Sequence, residues 1–256
     1  MQIPVLIYHN VLPTKDLSHL PRSERYYSVD SEIFEDHLRF LHAKDFQTIQ
    51  VGTPISDVRR PVVLTFDDGF QSAYWCYQNL KKYEFQGIFF IVTSFVGQHS
   101  YLSWDEIREM HANGMSIQSH TCNHLILTVI STKQIQSEFS LSKAILEDKL
   151  GHLVESISIP HGFISKDIID IAGQCGYKYI FISQPGLYES GSMGPINRLT
   201  INYHTKTGSF RRLVSQSAYE IGKQKMRKLV LGIPKRLIGD KAYHRVHLNI
   251  MHWLNR

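Results

Sequence analysis

Two short strings hold most of the side chains able to do chemistry. In the first, Thr65, Phe66, Asp67, Asp68 and Gly69, two adjacent carboxylates close an apolar run. Neighbouring carboxylates repel unless a cation or a shared proton relieves them. Gly69 lets the backbone turn, so the two side chains need not splay to opposite faces. In the second, His120, Thr121, Cys122, Asn123 and His124, two imidazoles stand at i and i+4 and would converge on one ion if the stretch were a helical turn. Asp68 with His120 and His124 makes a three-ligand set that leaves positions open for water and substrate, as catalytic metal sites do. Both strings also have plainer accounts. The Asp pair would serve as a cap for a helix starting near Ser72, and in a chain with 14 histidines a chance pair four apart is unsurprising. Cys122, lying between the histidines, reads as a small buried side chain rather than a ligand.

These groups need elements to bring them together. Over the first two hundred residues short β-type runs alternate with helical patterns, the signature of a mostly parallel sheet wrapped by helices. Strands are expected at Val5 to Tyr8, Val62 to Phe66, Ile88 to Val92, Met115 to Gln118, Ser156 to Ile159 and Tyr177 to Ile182. Between them, Asp30 or Ser31, Ser103, and Ser131 or Thr132 are expected to cap helices. Functional groups of parallel α/β folds gather at the carboxyl ends of strands. Four of these strand ends carry His9, the Asp67–Asp68 pair, His120, and the run Pro160, His161 and Gly162.

With 43% hydrophobic and 20% charged residues, disorder and fibrous classes are excluded. No run approaches the roughly 18 apolar residues of a membrane span. The start, MQIPVLIYHN, lacks the features of a signal peptide, and three cysteines without paired spacing fit a reducing compartment, so a cytoplasmic location is expected. The net charge of +5 is uneven: residues 206–256 hold twelve Lys and Arg against two Asp and Glu. That segment, broken by Gly232, Pro234 and Gly239, reads as a basic helical extension over 205–256 appended to a catalytic domain over 1–204. Lys223, Lys225, Arg227, Lys228, Lys235 and Arg236, with apolar neighbours, fit peripheral contact with the inner face of a membrane. A helix packed on the main domain is the alternative. Nucleic acid is not expected, since aromatic interleaving and any known module are absent.

Taken in order, PVLIYHNV, VVLTFDDGF, GIFFIVTSFVG, YLSWDEIREMHANGMSIQSHTCNH and IPHG resemble the polysaccharide deacetylases that share the NodB homology domain, carbohydrate esterase family 4, from about Ile3 to Ile201. The resemblance implies a distorted (β/α) barrel and a divalent metal held by Asp68, His120 and His124, with zinc as the default and Fe2+, Co2+ or Ni2+ as alternatives. It makes Asp67 the general base, and Pro160, His161 and Gly162 a substrate-binding segment whose His161 N–H would meet the oxyanion. An Arg usual in the third motif is replaced by Ser158, His161 stands for a usual Tyr, and the later Asp-Trp and Leu-x-His motifs are not visible. These departures, with the early pair Tyr8 and His9, point to the branch acting on exopolysaccharides such as poly-N-acetylglucosamine. His9 is then the candidate general acid or a substrate contact, with His161 and His204 in reserve. The expected activity is hydrolysis of N-acetyl groups on an N-acetylhexosamine-containing polysaccharide or its precursor. An O-acetyl esterase, a deformylase, or a degenerate member that binds glycan without turnover are the competing readings.

Overall fold

A computed structural model describes residues 1–229. Its centre is a parallel sheet whose strands, in chain order, are β1 (Val5–Tyr8), β2 (Pro61–Phe66), β3 (Ile88–Ile91), β4 (Ser116–Ser119), β5 (Ser156–Ser158), β6 (Tyr179–Phe181) and β7 (Leu199–Thr200). They lie side by side in the order β6-β5-β4-β3-β2-β1-β7, with the short strand Gln47–Thr48 added beside β2. The sheet curls until its edges share one segment. Ile196 N–H donates to Ile180 O at 2.8 Å on the β6 side, while Leu199 and Thr200 pair with Leu6 and Ile7 of β1. The result is a distorted (β/α) barrel.

The alternation of side chains along each strand sorts the residues into two cores. Val5, Val63, Ile88, Phe90 and Phe181 fill the barrel. Leu6, Tyr8, Leu64, Phe66, Phe89, Ile91, Ile117, Ile157 and Ile180 face the helices outside. Those helices are α1 (Ser31–Ala43), α2 (Ser72–Lys82), α3 (Trp104–Ala112), α4 (Thr132–Leu150), α5 (Lys166–Gln174) and α6 (Thr207–Val214). The same parity carries upward: His9, Asp67 and His120, each two or four residues beyond an inward-facing position, belong to the barrel mouth. Tyr8 faces the other way, its hydroxyl 3.1 Å from Nδ1 of His37.

The expected caps form. Asp30 accepts from Glu32 N–H, and Ser103 with Glu106 and Ser131 with Gln134 make reciprocal capping boxes. Gly151, at φ 68°, ends α4 in the left-handed conformation. The segment after 204 begins inside the outer core, because Phe210, Leu213, Val214 and Ile221 join it. A further helix over residues 218–229 lays Gln224 along the edge of β7. There Gln224 Oε1 accepts from Thr200 N–H at 3.1 Å and Nε2 donates to Thr200 O at 2.9 Å. Arg227 lies over the Tyr26 ring at 4.3 Å. Among the described residues no helix is long and apolar enough to cross a membrane. Lys235 and Arg236 lie outside the described residues.

Phe210, fully buried and stacked on His37 at 3.8 Å, ties α6 to α1. Phe210→Ala is expected to lower the unfolding free energy by about 3–5 kcal/mol in urea titrations. An unchanged midpoint would mean that the segment after 204 adds nothing to this core.

Candidate metal centre

Asp68 follows β2 at φ 75° and is succeeded by Gly69, also at φ 75°. This double left-handed turn breaks the strand just after Asp67, so both carboxylates serve the barrel mouth. Neither caps α2, whose first turn receives no side-chain cap. Asp68 Oδ1 lies 3.2 Å from His120 Nε2 and 3.3 Å from His124 Nε2. One ligand atom from each residue falls within 4.8 Å of the others, and Cys122 is not part of the group. The histidines converge without the helical turn their spacing would call for. Residues 120–124 form an irregular loop, with Thr121 at φ 67° and His124 at φ 56°.

The donor set fits a divalent cation in a second respect. His120 Nδ1 lies 2.8 Å from the carbonyl oxygen of Ser158. A carbonyl can only accept, so Nδ1 carries a proton and Nε2 is the nitrogen turned toward Asp68, the one that would ligate a cation. Such an orienting bond is the usual companion of a metal-binding imidazole. Burial opposes ionisation here, yet hydrogen bonds from His120 and His124 outweigh it and hold Asp68 well below the usual carboxylate range. His120 shows the complement: burial works to lower its pKa, but the neighbouring Asp67 and Asp68 carry it above the ordinary imidazole value. A cation would take over the role of that proton.

Asp67 is held apart from this set by a partner the motif strings did not disclose. Arg198, completely buried just before β7, grips it in bidentate fashion, Nη1 to Oδ1 at 2.7 Å and Nη2 to Oδ2 at 2.8 Å. Ser158 Oγ donates to Oδ2 at 2.9 Å, and Arg198 also reaches Thr65 Oγ1. The guanidinium lies over the adjoining rings of Phe90 and Phe181, at 5.6 and 5.9 Å. Burial pushes the Asp67 carboxyl up, but Arg198 and His120 outweigh it and keep the group ionised, below its ordinary value. The arginine absent from the third motif is thus supplied from another strand, with Ser158 adding a hydrogen bond. A lone Arg ahead of the apolar residues Leu199 and Ile201 was the available signal. It gave no indication of which face of the sheet the side chain would take.

His9 stands in the mouth beside Tyr27, ring centroids 5.2 Å apart, and its Nδ1 is buried without a hydrogen-bond partner among the described residues. Burial, the largest influence, lowers its pKa and favours the neutral ring. His204 is exposed on the same side, 6.0 Å from the Tyr26 ring. On the opposite side His161, at φ 58°, lies 4.9 Å from the His124 ring. Gly162 follows at φ 67°, and an added Cβ there would stand 2.8 Å from Cβ of Ser183, so only glycine fits. Asp68, Thr121, His124 and His161 are four of the eight non-glycine residues with positive φ among the described residues. Strain gathered at one place is characteristic of functional sites.

Arg198→Met leaves a buried carboxylate unpaired and is expected to cost about 3–5 kcal/mol at neutral pH. In the native chain the depressed pKa of Asp67 adds stability that is full above its unfolded value and lost as pH falls through the folded value. In the variant the largest lowering influence is gone and burial, opposed only by His120, His9 and the Ser158 hydroxyl, raises that pKa, so the deficit should shrink on acidification. Urea titrations across that range check this, and a deficit independent of pH would remove Asp67 as its source.

The sequence matches the family described as Polysaccharide deacetylase over residues 56–180. Over 193 residues it is 29% identical to YxkH of Bacillus subtilis (strain 168), a protein named for the polysaccharide deacetylases, covering 72% of this chain and 66% of that one. It is 25% identical over 176 residues to the poly-beta-1,6-N-acetyl-D-glucosamine N-deacetylase of Staphylococcus aureus (strain MSSA476), covering 60% of this chain and 61% of that protein. The chain therefore spans less than two thirds of the length of these relatives. Its fold superposes on the Streptococcus pyogenes deacetylase PplD in complex with acetate with a TM-score of 0.75, at 23% identity, covering 84% of this chain and 98% of that one. Over residues 56–180 the chain thus carries the sequence pattern of the polysaccharide deacetylases, on a curled parallel sheet like that of the deacetylase PplD.

Proposed function

We propose that this protein is a metal-dependent hydrolase that removes N-acetyl groups from an N-acetylhexosamine-containing polysaccharide or its precursor. The observation that carries the reading is the meeting of Asp68, His120 and His124 within 4.8 Å beside Asp67, a carboxylate kept ionised and outside the ligand set. The N-acetylglucosamine chemistry named for the Staphylococcus aureus relative supports the choice of substrate class.

Asp68, His120 and His124 would hold a divalent cation, zinc by default with Fe2+, Co2+ or Ni2+ also suited, which would polarise an amide carbonyl and acidify a water. Asp67 takes the proton from the attacking water, and Arg198 fixes the orientation from which it does so. Arg198 also keeps Asp67 ionised, which makes it a base whose working form persists into mildly acidic solution. Ser158 serves the centre twice, fixing the His120 tautomer through its carbonyl and Asp67 through its hydroxyl. His9 in its neutral form contacts the sugar from one side. The Pro160, His161 and Gly162 turn forms the opposite wall, with the His161 N–H offered to the oxyanion.

The deciding measurement is acetate released from β-1,6-linked N-acetylglucosamine oligomers by metal-replete protein. Asp67→Asn is expected to lower the rate by about 10²–10⁴ while metal stays bound. His124→Ala is expected to lose the metal. Full activity of Asp67→Asn would eliminate the base. Release from O-acetylated but not from N-acetylated sugars would turn the reading to an esterase.

A further inference from the structure

The loop bearing both histidines is shaped by a carboxylate from a distant helix. Glu138, in the second turn of α4, is 5% exposed and buried between Ile135 and Phe139 on the inner face of that helix. A charge so placed is unfavourable unless it is well hydrogen-bonded. Its Oε2 accepts from two successive backbone N–H groups, Cys122 at 3.0 Å and Asn123 at 2.8 Å, and its Oε1 accepts from Asn123 Nδ2 at 2.6 Å. Successive N–H groups next to a left-handed residue form a concave anion-binding nest, and Thr121 at φ 67° is that residue. Glu138 is the anion in the nest. One helical turn on, Ser142 Oγ meets Ser119 Oγ at 2.8 Å, so the same face of α4 grips the loop and the strand end that precedes it.

The loop has little else to hold this shape. Thr121 and His124 both occupy the left-handed region, which side-chain-bearing residues rarely adopt. The remaining backbone hydrogen bonds of residues 121–124 among the described residues are single ones: Thr121 N–H to Ser119 Oγ at 3.2 Å, His124 N–H to Thr121 Oγ1 at 3.1 Å, and the bonds from Thr93 and Ser94 N–H. If the nest were released, His120 would keep its place at the end of β4 and its bond to Ser158. His124, beyond the nest, would not.

We infer that Glu138 is a positioning residue for the metal centre, fixing His124 as its third ligand by filling the nest at Cys122 and Asn123. This rests on the metal-dependent reading above. Loss of an outer partner of a metal ligand typically weakens binding 10–100-fold. Glu138→Met, similar in size but without acceptors, is expected to raise the Zn2+ Kd by about that factor in competition with a chromophoric chelator. It should also change the visible spectrum of the Co2+ form. Glu138→Gln is expected to restore Kd to within a few-fold, because its oxygen can accept from the nest while Asn123 turns its own amide to match. Should Glu138→Met fail to fold, Asn123→Ala decides: it removes one donor at an exposed position and is expected to raise Kd several-fold. Kd and Co2+ spectra matching wild type in folded Glu138→Met, or in Asn123→Ala, would overturn the assignment and leave the metal centre standing. Absence of Zn2+ binding by wild type would overturn both.

Discussion

Asp67 and Asp68 are adjacent in the chain, and both are withdrawn from water at the barrel mouth, with side chains 3% and 15% exposed. Two carboxylates so placed cannot both remain ionised unless each is given its own positive or hydrogen-bonding partner. Much of the mouth answers to this requirement. Arg198 and Ser158 attend to Asp67, while His120 and His124 attend to Asp68. The turn at Asp68 and Gly69 separates the two carboxylates into different tasks. One joins the candidate ligand set and the other stands outside it, charged and oriented.

The partners come from separate strands, and the barrel brings them together through parity. Inward-facing positions on β2, β4 and β5 end in Asp67, His120 and Ser158, and the segment that closes the sheet between β6 and β1 delivers Arg198. Arg198 therefore has two roles. It packs over Phe90 and Phe181 inside the barrel and it balances the buried charge of Asp67. A salt bridge so deeply buried adds little net stability over an apolar alternative, while losing one partner is costly. Its presence here is better explained by the need for an ionised carboxylate than by stability.

Around this rigid centre the strain sits in loops. Thr121, His124 and His161 hold conformations that L-residues avoid, and the scaffold keeps them there. α4 does so for the histidine loop through Glu138 and Ser142. Beyond the end of β5, close approach of the backbone to Ser183 admits only Gly162. The closing segment is itself secured by the helix over 218–229, whose Gln224 pairs with the backbone of Thr200 as a neighbouring strand would.

Local signals were enough for six of the seven strands β1 to β7 and for the helix caps, because period-two runs and capping residues are written in contiguous sequence. Leu199–Thr200 is too short to leave such a run, and the group Asp68, His120 and His124 follows only from motifs at separate strand ends together with the family resemblance. Ser131 with Gln134, or Asp68 before Gly69, carries its meaning within a few residues. Only the tertiary structure decided that Arg198 serves Asp67, that Glu138 fills a backbone nest, and that Phe210 belongs to the main core. Arg198 is 131 residues from Asp67, and Glu138 looks like one more charge on a long helix. A buried ion pair or a filled nest leaves no periodic trace, since its partners are chosen by where the closing strand and the packed helix lie in space.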